Sequence, residues 1–193
     1  MNRGVACRPI FQDTRDLRIF LQLVSEQVSA GRIAVHAYCL MENHYHMLVD
    51  VPTGELDVAM RENGRRYSRA YNRMRQRDGP LFRSPFRSRP IVDEHYRRSV
   101  LEYIDRNSVA SALALHPADY EWGSAAQFAL PPTVRHAWLC TTWVSQVVEE
   151  ETGVAGLPAD AYRALFKGFD DPSAVELVET RLQVAAISDP RAR

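Results

Sequence analysis

The chain has 193 residues, 46% of them hydrophobic, with 24 basic and 24 acidic side chains and a formal net charge of zero. That length and apolar share build one folded domain with room for an appendage, and exclude an intrinsically disordered chain. No apolar run approaches the roughly 20 residues of a membrane span, the start MNRGVACRPIF lacks a signal-peptide core, and three scattered cysteines make neither a disulfide framework nor a zinc knuckle.

A cytoplasmic protein without a membrane partner is expected. Asp13 or Thr14 is placed to cap a first helix with Leu17, Phe20, Leu21, Val24 and Val28 at helical spacing, and Gly31 stops it. Ile33 to Leu40 is rich in β-formers and leads through Glu42-Asn43 into a second strand, His44 to Val51, so the two should pair antiparallel. Thr53 is the expected cap of a second helix with Leu56, Met60, Tyr67, Tyr71 and Met74 on one side and most of its arginines on the other. Gly64 lies within that helix, where a kink or a close approach is possible.

Asp78-Gly79-Pro80 breaks the second helix, and Leu81 to Val92 reads as an irregular or extended connection. Asp93 then caps a third helix, EHYRRSVLEYIDRNSVASAL, closed by His116-Pro117. Residues 118–130 read as an aromatic loop, and Pro131-Pro132 marks a boundary. Beyond it helices are expected over 137–150, 159–169 and 172–186. The division is therefore a main domain over residues 1–130 and a small helical extension over 131–193.

Charge is unevenly spread. Between Arg61 and Arg98 stand twelve arginines against four acids, while the stretch from Pro131 onward is acidic. A solvated surface explains such a block equally well on charge alone. The block is, however, interleaved with Tyr67, Tyr71, Phe82 and Phe86. Cations that follow a phosphate backbone, with rings on which bases stack, make a single-strand nucleic-acid surface. Arg65, Arg66, Arg69 and Arg73 on the second helix, with Arg83, Arg87 and Arg89 after it, are the candidates for phosphate contact.

The strand MENHYHMLVDVP carries His44 and His46 two residues apart. Side chains alternate along a strand, so both imidazoles share one face. They make half of a divalent-metal site if further oxygen or nitrogen ligands converge on them. On the third helix Tyr103 and Asn107 are four residues apart and therefore share a face, flanked by Val100 and Ile104. That face is directed at protein, so an amide oxygen and a phenol are presented together toward the sheet. Tyr96, two turns earlier, is a rival phenol, and ordinary hydrogen bonding of these tips is the other reading.

The strings AYCLMENHYHMLVDVP, RRYSRAYNRMRQRDGPLFRSPFRSRPIVDEHY, VLEYIDRNSVASAL and PADYEWGSAAQF, collinear over roughly residues 3–130, resemble the REP-associated tyrosine transposases, of the single-tyrosine HUH family. The resemblance implies an α+β protein with a ferredoxin-like antiparallel sheet. It places the HUH motif on His44-Tyr45-His46, the catalytic tyrosine on Tyr103 and a third metal ligand on Asn107. With no carboxylate in that ligand set, Mg²⁺ or Mn²⁺ bound together with substrate is implied. The implied activity is nicking and rejoining of hairpin-containing single-stranded DNA, of repetitive extragenic palindromes in particular, through a 5′-phosphotyrosine. The protein would act as a monomer or homodimer.

The sequence departs from that pattern in four places. The strand that usually precedes the equivalent of Asn2-Arg3-Gly4 is missing, so either the true start lies upstream of Met1 or the sheet is one strand short and the protein impaired. Ser84-Pro85 replaces a glycine-arginine pair, Ser108, Ala110 and Ser111-Ala112 replace a proline, arginine and glycine, and Glu42 replaces a proline. Two alternatives follow: a domesticated or decayed relative that binds structured single-stranded DNA without cutting it, and a metallohydrolase that uses water.

Overall fold

Asp13 starts the first helix, α1 (Thr14–Ser29), by accepting the Asp16 backbone N–H at 3.0 Å. The computed structural model in which this is seen describes residues 1–166. The helix expected over 172–186 lies outside them, as does the end of the one expected over 159–169. Gly31 follows α1 at φ +70°, the left-handed conformation that ends a helix.

Strands β1 (Asn2–Arg3), β2 (Ala34–Met41) and β3 (His44–Asp50) form an antiparallel sheet in the order β1-β3-β2. The β2–β3 hairpin turns through Glu42 and Asn43 and pairs Met41 with His44 and Cys39 with His46. A bulge between Val35 and Ala37 accommodates His36. Asn2 and Arg3 supply a two-residue edge, opposite Tyr45 and His44. Outside that edge the arginine-rich connection lies alongside the chain start. Val5 donates to the Leu81 carbonyl at 3.0 Å, Arg83 to Arg3 at 2.9 Å and Arg87 to Met1 at 2.9 Å.

Helix α2 spans Leu56–Met74. The expected Thr53 cap is not used. A turn in which the Gly54 N–H bonds the Val51 carbonyl takes up residues 51–54, and the helix starts after Glu55 with no side-chain cap. Met60, Tyr67 and Tyr71 are buried on its inner side, with Tyr67 donating to the Ile10 carbonyl and Tyr71 to that of Pro9. Tyr67 also packs edge-on against Phe20 of α1, at 5.3 Å between ring centroids. The helix is continuous through Gly64, where a β-carbon would meet only the Phe82 ring at 3.8 Å.

Helix α3 spans Glu94–Ala110 and begins with Asp93 accepting from the His95 N–H at 3.0 Å. It ends short of the expected Leu113, because Ala112 turns to φ +55°. Residues 118–130, expected as a loop, include a five-residue helix, α4 (Ser124–Phe128), whose Ala125 and Phe128 are fully buried. Tertiary contacts hold so short a helix, and it leaves no periodic signal. Helix α5 is Thr142–Thr152 rather than starting at Ala137, since Leu139 bridges Val35 and the Cys140 N–H bonds the Val35 carbonyl at 2.8 Å. Helix α6 is Ala159–Ala164.

The protein is thus α+β, with a three-stranded antiparallel sheet and six helices. Tyr45 packs on Phe20 of α1, and its neighbour His46 on Tyr103 of α3. Successive strand residues point to opposite faces, so α1 and α3 cover the two sides of the sheet. Side chains from before and after Pro131, among them Tyr38, Phe128, Val144 and Tyr162, belong to one hydrophobic cluster. Among the described residues no helix is long and apolar enough to cross a membrane.

Candidate functional site

Strand alternation puts His44 and His46 on the α3 side of β3, with their rings 5.2 Å apart. His46 is 9% exposed, and His44 is half-buried. Nδ1 of His44 donates to Asn43 Oδ1 at 2.6 Å, which leaves the Nε2 lone pair available. Burial lowers the His44 pKa to about 4, helped by Arg3 and the α-amino group. Burial likewise holds His46 well below the ordinary range, with the α-amino group, His44 and Arg3 adding to it. At neutral pH both rings are therefore uncharged, the state in which imidazole binds a metal.

The helical repeat brings Tyr103 and Asn107 to the same face of α3. The Tyr103 ring meets His46 edge-on, with centroids 5.3 Å apart and planes at 87°. Asn107 donates from Nδ2 to the Tyr103 carbonyl at 2.7 Å, so Oδ1 is the atom on which it could offer a ligand. One turn farther on, Ser111 approaches Met41 Sδ at 3.7 Å, and Met41 is the β2 partner of His44. The Asn107 turn of α3 therefore lies toward the His44 end of the strand. Tyr96, the rival phenol, accepts a hydrogen bond from Arg89 at 3.0 Å with the guanidinium over its ring.

No cluster of three His, Cys, Asp or Glu side chains able to hold a metal exists among the described residues. The carboxylate farther along the same face of β3, Asp50, is engaged by His36 at 2.8 Å. Two neutral imidazoles and the Asn107 amide oxygen are the candidate donors. Imidazole suits borderline divalent metals and an amide oxygen harder ones, with any remaining positions open to water and substrate oxygens. Arg3, opposite His44 on β1, adds a guanidinium suited to a phosphate.

The candidate arginines fall into two groups on adjoining elements. Arg65, Arg69 and Arg73 recur every four residues along α2 and are exposed, although Arg65 also pairs with Glu62 at 2.9 Å. Arg69 and Arg73 make no ion pair among the described residues. Arg66 is turned instead toward α1, where it pairs with Glu26. Arg83, Arg87 and Arg89 are exposed on the segment beside β1, which Phe82 seats against Tyr67 and Gly64.

The rings interleaved with these arginines do not form a stacking surface. Tyr67 and Tyr71 are fully buried, and Phe82 and Phe86 pack against the core. Their spacing serves the inner face of α2, which competes for the same residues. Arg75 lies over Tyr71 at 4.1 Å and bonds Asp16 and Gln12, so it belongs to the fold.

Sequence reasoning overlooked Asn43, adjacent to His44 and legible as its partner, and Arg3. It also overlooked Asp105, fully engaged inside the protein. Asp105 accepts from Ser124 Oγ at 2.9 Å and from the Tyr162 hydroxyl, and burial raises its pKa to about 7 against the effect of those bonds. Compared with family models, curated proteins and solved structures, the chain matches none of them.

Proposed function

We propose that the protein is a metal-dependent DNA strand transferase with a tyrosine nucleophile, acting on hairpin-containing single-stranded DNA as the REP-associated tyrosine transposases do. The observation that carries this reading is the meeting of His46 and Tyr103 at 5.3 Å between ring centroids. On this reading the sheet and its helices are the ferredoxin-like HUH fold.

A phenol with a pKa near ~10 is about one part in a thousand phenolate at neutral pH, a deficit of roughly 4 kcal/mol. His44, His46 and Asn107 would hold Mg²⁺ or Mn²⁺, which supplies polarisation of the scissile phosphate and stabilises its developing charge. Tyr103 Oη attacks phosphorus and forms a 5′-phosphotyrosine as its proton is lost to solvent. The 3′ oxygen leaves with the bonding pair and takes up a proton. One phosphate ester replaces another, so a free 3′ hydroxyl can reverse the step and join a different strand. Arg3 and the exposed arginines of α2 and the β1 edge hold the flanking phosphates.

Incubation with an end-labelled hairpin oligonucleotide and Mn²⁺ tests the reading. A covalent adduct that survives a denaturing gel is expected, and Tyr103→Phe should abolish it while sparing binding. Cleavage without an adduct, unaffected by Tyr103→Phe, points to water as the nucleophile and overturns the proposal. A second reading is a binder that no longer cuts. It predicts hairpin binding with no cleavage at all.

A further inference from the structure

At the other edge of the sheet, beyond β2, a cavity of about 370 Å³ opens between α1 and the chain that follows α3. Arg18 and Gln22 of α1 line one side, and Trp122, Gln127, His136 and Trp138 the other. The His136 and Trp138 rings are stacked, 5.2 Å apart and 13° from parallel. Trp138 is backed in turn by Tyr38 at 5.7 Å. Trp122 is pinned by its carbonyl, which accepts the Leu40 N–H at 3.0 Å. Three half-buried rings thus line a partly open cavity, two of them as a stacked pair that a further ring can extend.

The polar groups say what those faces are for. Gln127 is 8% exposed and spends its Oε1 on the His136 N–H at 3.1 Å. Its Nε2 makes no hydrogen bond among the described residues and is not one of their buried unpartnered atoms, so a solvent-reachable donor remains on a residue that lines the cavity. Glu121 is also at the lining, where a carboxylate repels phosphate but accepts an exocyclic amine. A lipid tail would leave these groups unpaired, whereas a flat heteroaromatic ring with donors and acceptors on its edge uses both sets.

We propose that this cavity takes one unpaired nucleobase of a single-stranded nucleic acid, inserted beside Trp138 and read on its edge by Gln127, Gln22 and Glu121. The inference rests on the reading of the protein as a single-strand binder and adds a specificity subsite at the sheet edge opposite the one that carries the histidines. Here the rings take the stacking role that the buried tyrosines of α2 do not.

The test is titration of the whole protein with an unstructured eight-nucleotide DNA strand and with a nucleoside monophosphate, read by tryptophan fluorescence. Both should quench the emission, and a duplex of the same sequence should not. Trp138→Ala should weaken oligonucleotide binding about 5- to 100-fold, the loss of one stacked base, and Trp138→Phe should stay within about threefold of wild type. If Trp138→Ala lowers the melting temperature, the exposed pair Arg18→Ala/Gln22→Ala carries the test, with several-fold weaker binding expected. Wild-type affinity in folded Trp138→Ala or in that pair overturns the proposal. Quenching by an aromatic amino acid amide but not by the nucleotide also overturns it, in favour of a peptide. A phosphotyrosine adduct with unchanged oligonucleotide affinity in the variants sinks this subsite alone. Loss of the adduct with quenching intact sinks only the catalytic reading.

Discussion

Tyr103 and Asp105 stand two residues apart on α3 and so point in nearly opposite directions, one at the histidines of β3 and the other into the contact between α3, α4 and α6. Asp105 is fully enclosed by protein donors: Ser124 Oγ at 2.9 Å, the Tyr162 hydroxyl and the Ala125 N–H. Ser124 Oγ also lies within hydrogen-bond distance of both the N–H and the carbonyl of Tyr38, which ties that acid to β2. Tyr103 meets His46 of the sheet edge-on, and the Asn107 amide bonds back to its own helix. The lesson is a division of labour: one side of the helix is anchored by a buried acid, and the other is thereby held against the histidine strand.

Substitutions on the two sides should therefore fail in different ways. Tyr103→Phe removes a hydroxyl and keeps the ring against His46. Adduct formation should fall by more than about 1,000-fold, equivalent to ~4 kcal/mol or more of barrier, in a densitometric gel assay. Denaturant unfolding of the same variant should stay within about 1.5 kcal/mol of wild type, the worth of one hydrogen bond. A parallel loss of stability would show that the two sides are not separable.

Asp105→Ala is the converse. It leaves the Tyr162 hydroxyl and the Ala125 N–H without their acceptor in a buried site, while Ser124 keeps the Tyr38 carbonyl, at about 1–3 kcal/mol for each orphaned group. A total destabilisation of roughly 2–5 kcal/mol is expected from urea titration. Adduct yield per folded molecule should remain near wild type at low temperature, because no reacting atom is touched.

The comparison also sets how much could be read in advance. Asp13, with helical spacing behind it, identifies α1, and strand alternation puts His44 and His46 on one face whatever the rest of the chain does. The four-residue interval between Tyr103 and Asn107 likewise depends on helix geometry alone. Asp105 was hidden because a charged residue between Ile104 and Arg106 reads as surface, while α3 buries nearly its whole circumference in this stretch. Tyr67 and Tyr71 mislead for the opposite reason. They satisfy two patterns at once, and core packing outweighs solvent exposure for a ring that can be buried. Helix α4 was illegible because its five residues are held by Asp105 and the sheet rather than by their own periodicity.

The two sides should also respond to pH with opposite sign. The Asp105 pKa is raised from 3.8 to about 7 in the folded protein. The native state thus holds that proton more tightly, and the associated stability is complete below the unfolded pKa and lost as pH rises through about 7. The His44 pKa is lowered from 6.5 to about 4, so its contribution is present above 6.5 and lost as pH falls through about 4. Asp105→Asn should remove the first term and leave the second. The difference in unfolding free energy between wild type and Asp105→Asn should then shift against wild type by up to about 1.4 kcal/mol per pH unit across that window. A difference that stays flat from pH 4 to 8 would mean that Asp105 titrates alike folded and unfolded.

The smallest effects belong to the arginines, where a distinction between engaged and available groups applies on α2. Arg66 is committed to Glu26 of α1 and Arg65 to Glu62, whereas Arg69 is exposed on the outer row. A guanidinium that must leave a carboxylate to reach a phosphate gains little, while one that is only hydrated releases a counterion from the nucleic acid. Arg69→Ala should lower the slope of log affinity against log salt by about 0.7, the value for one phosphate contact on a single strand. Arg65→Ala should lower it by less, and Arg66→Ala should act mainly through stability, by about 0.5 kcal/mol, since it loosens the contact between α1 and α2. Filter binding of an oligonucleotide between low and moderate salt ranks the three. If Arg66→Ala proved to change the slope most, the phosphate track would have to run along the α1 side of α2, and the outer row would be the ordinary solvated surface.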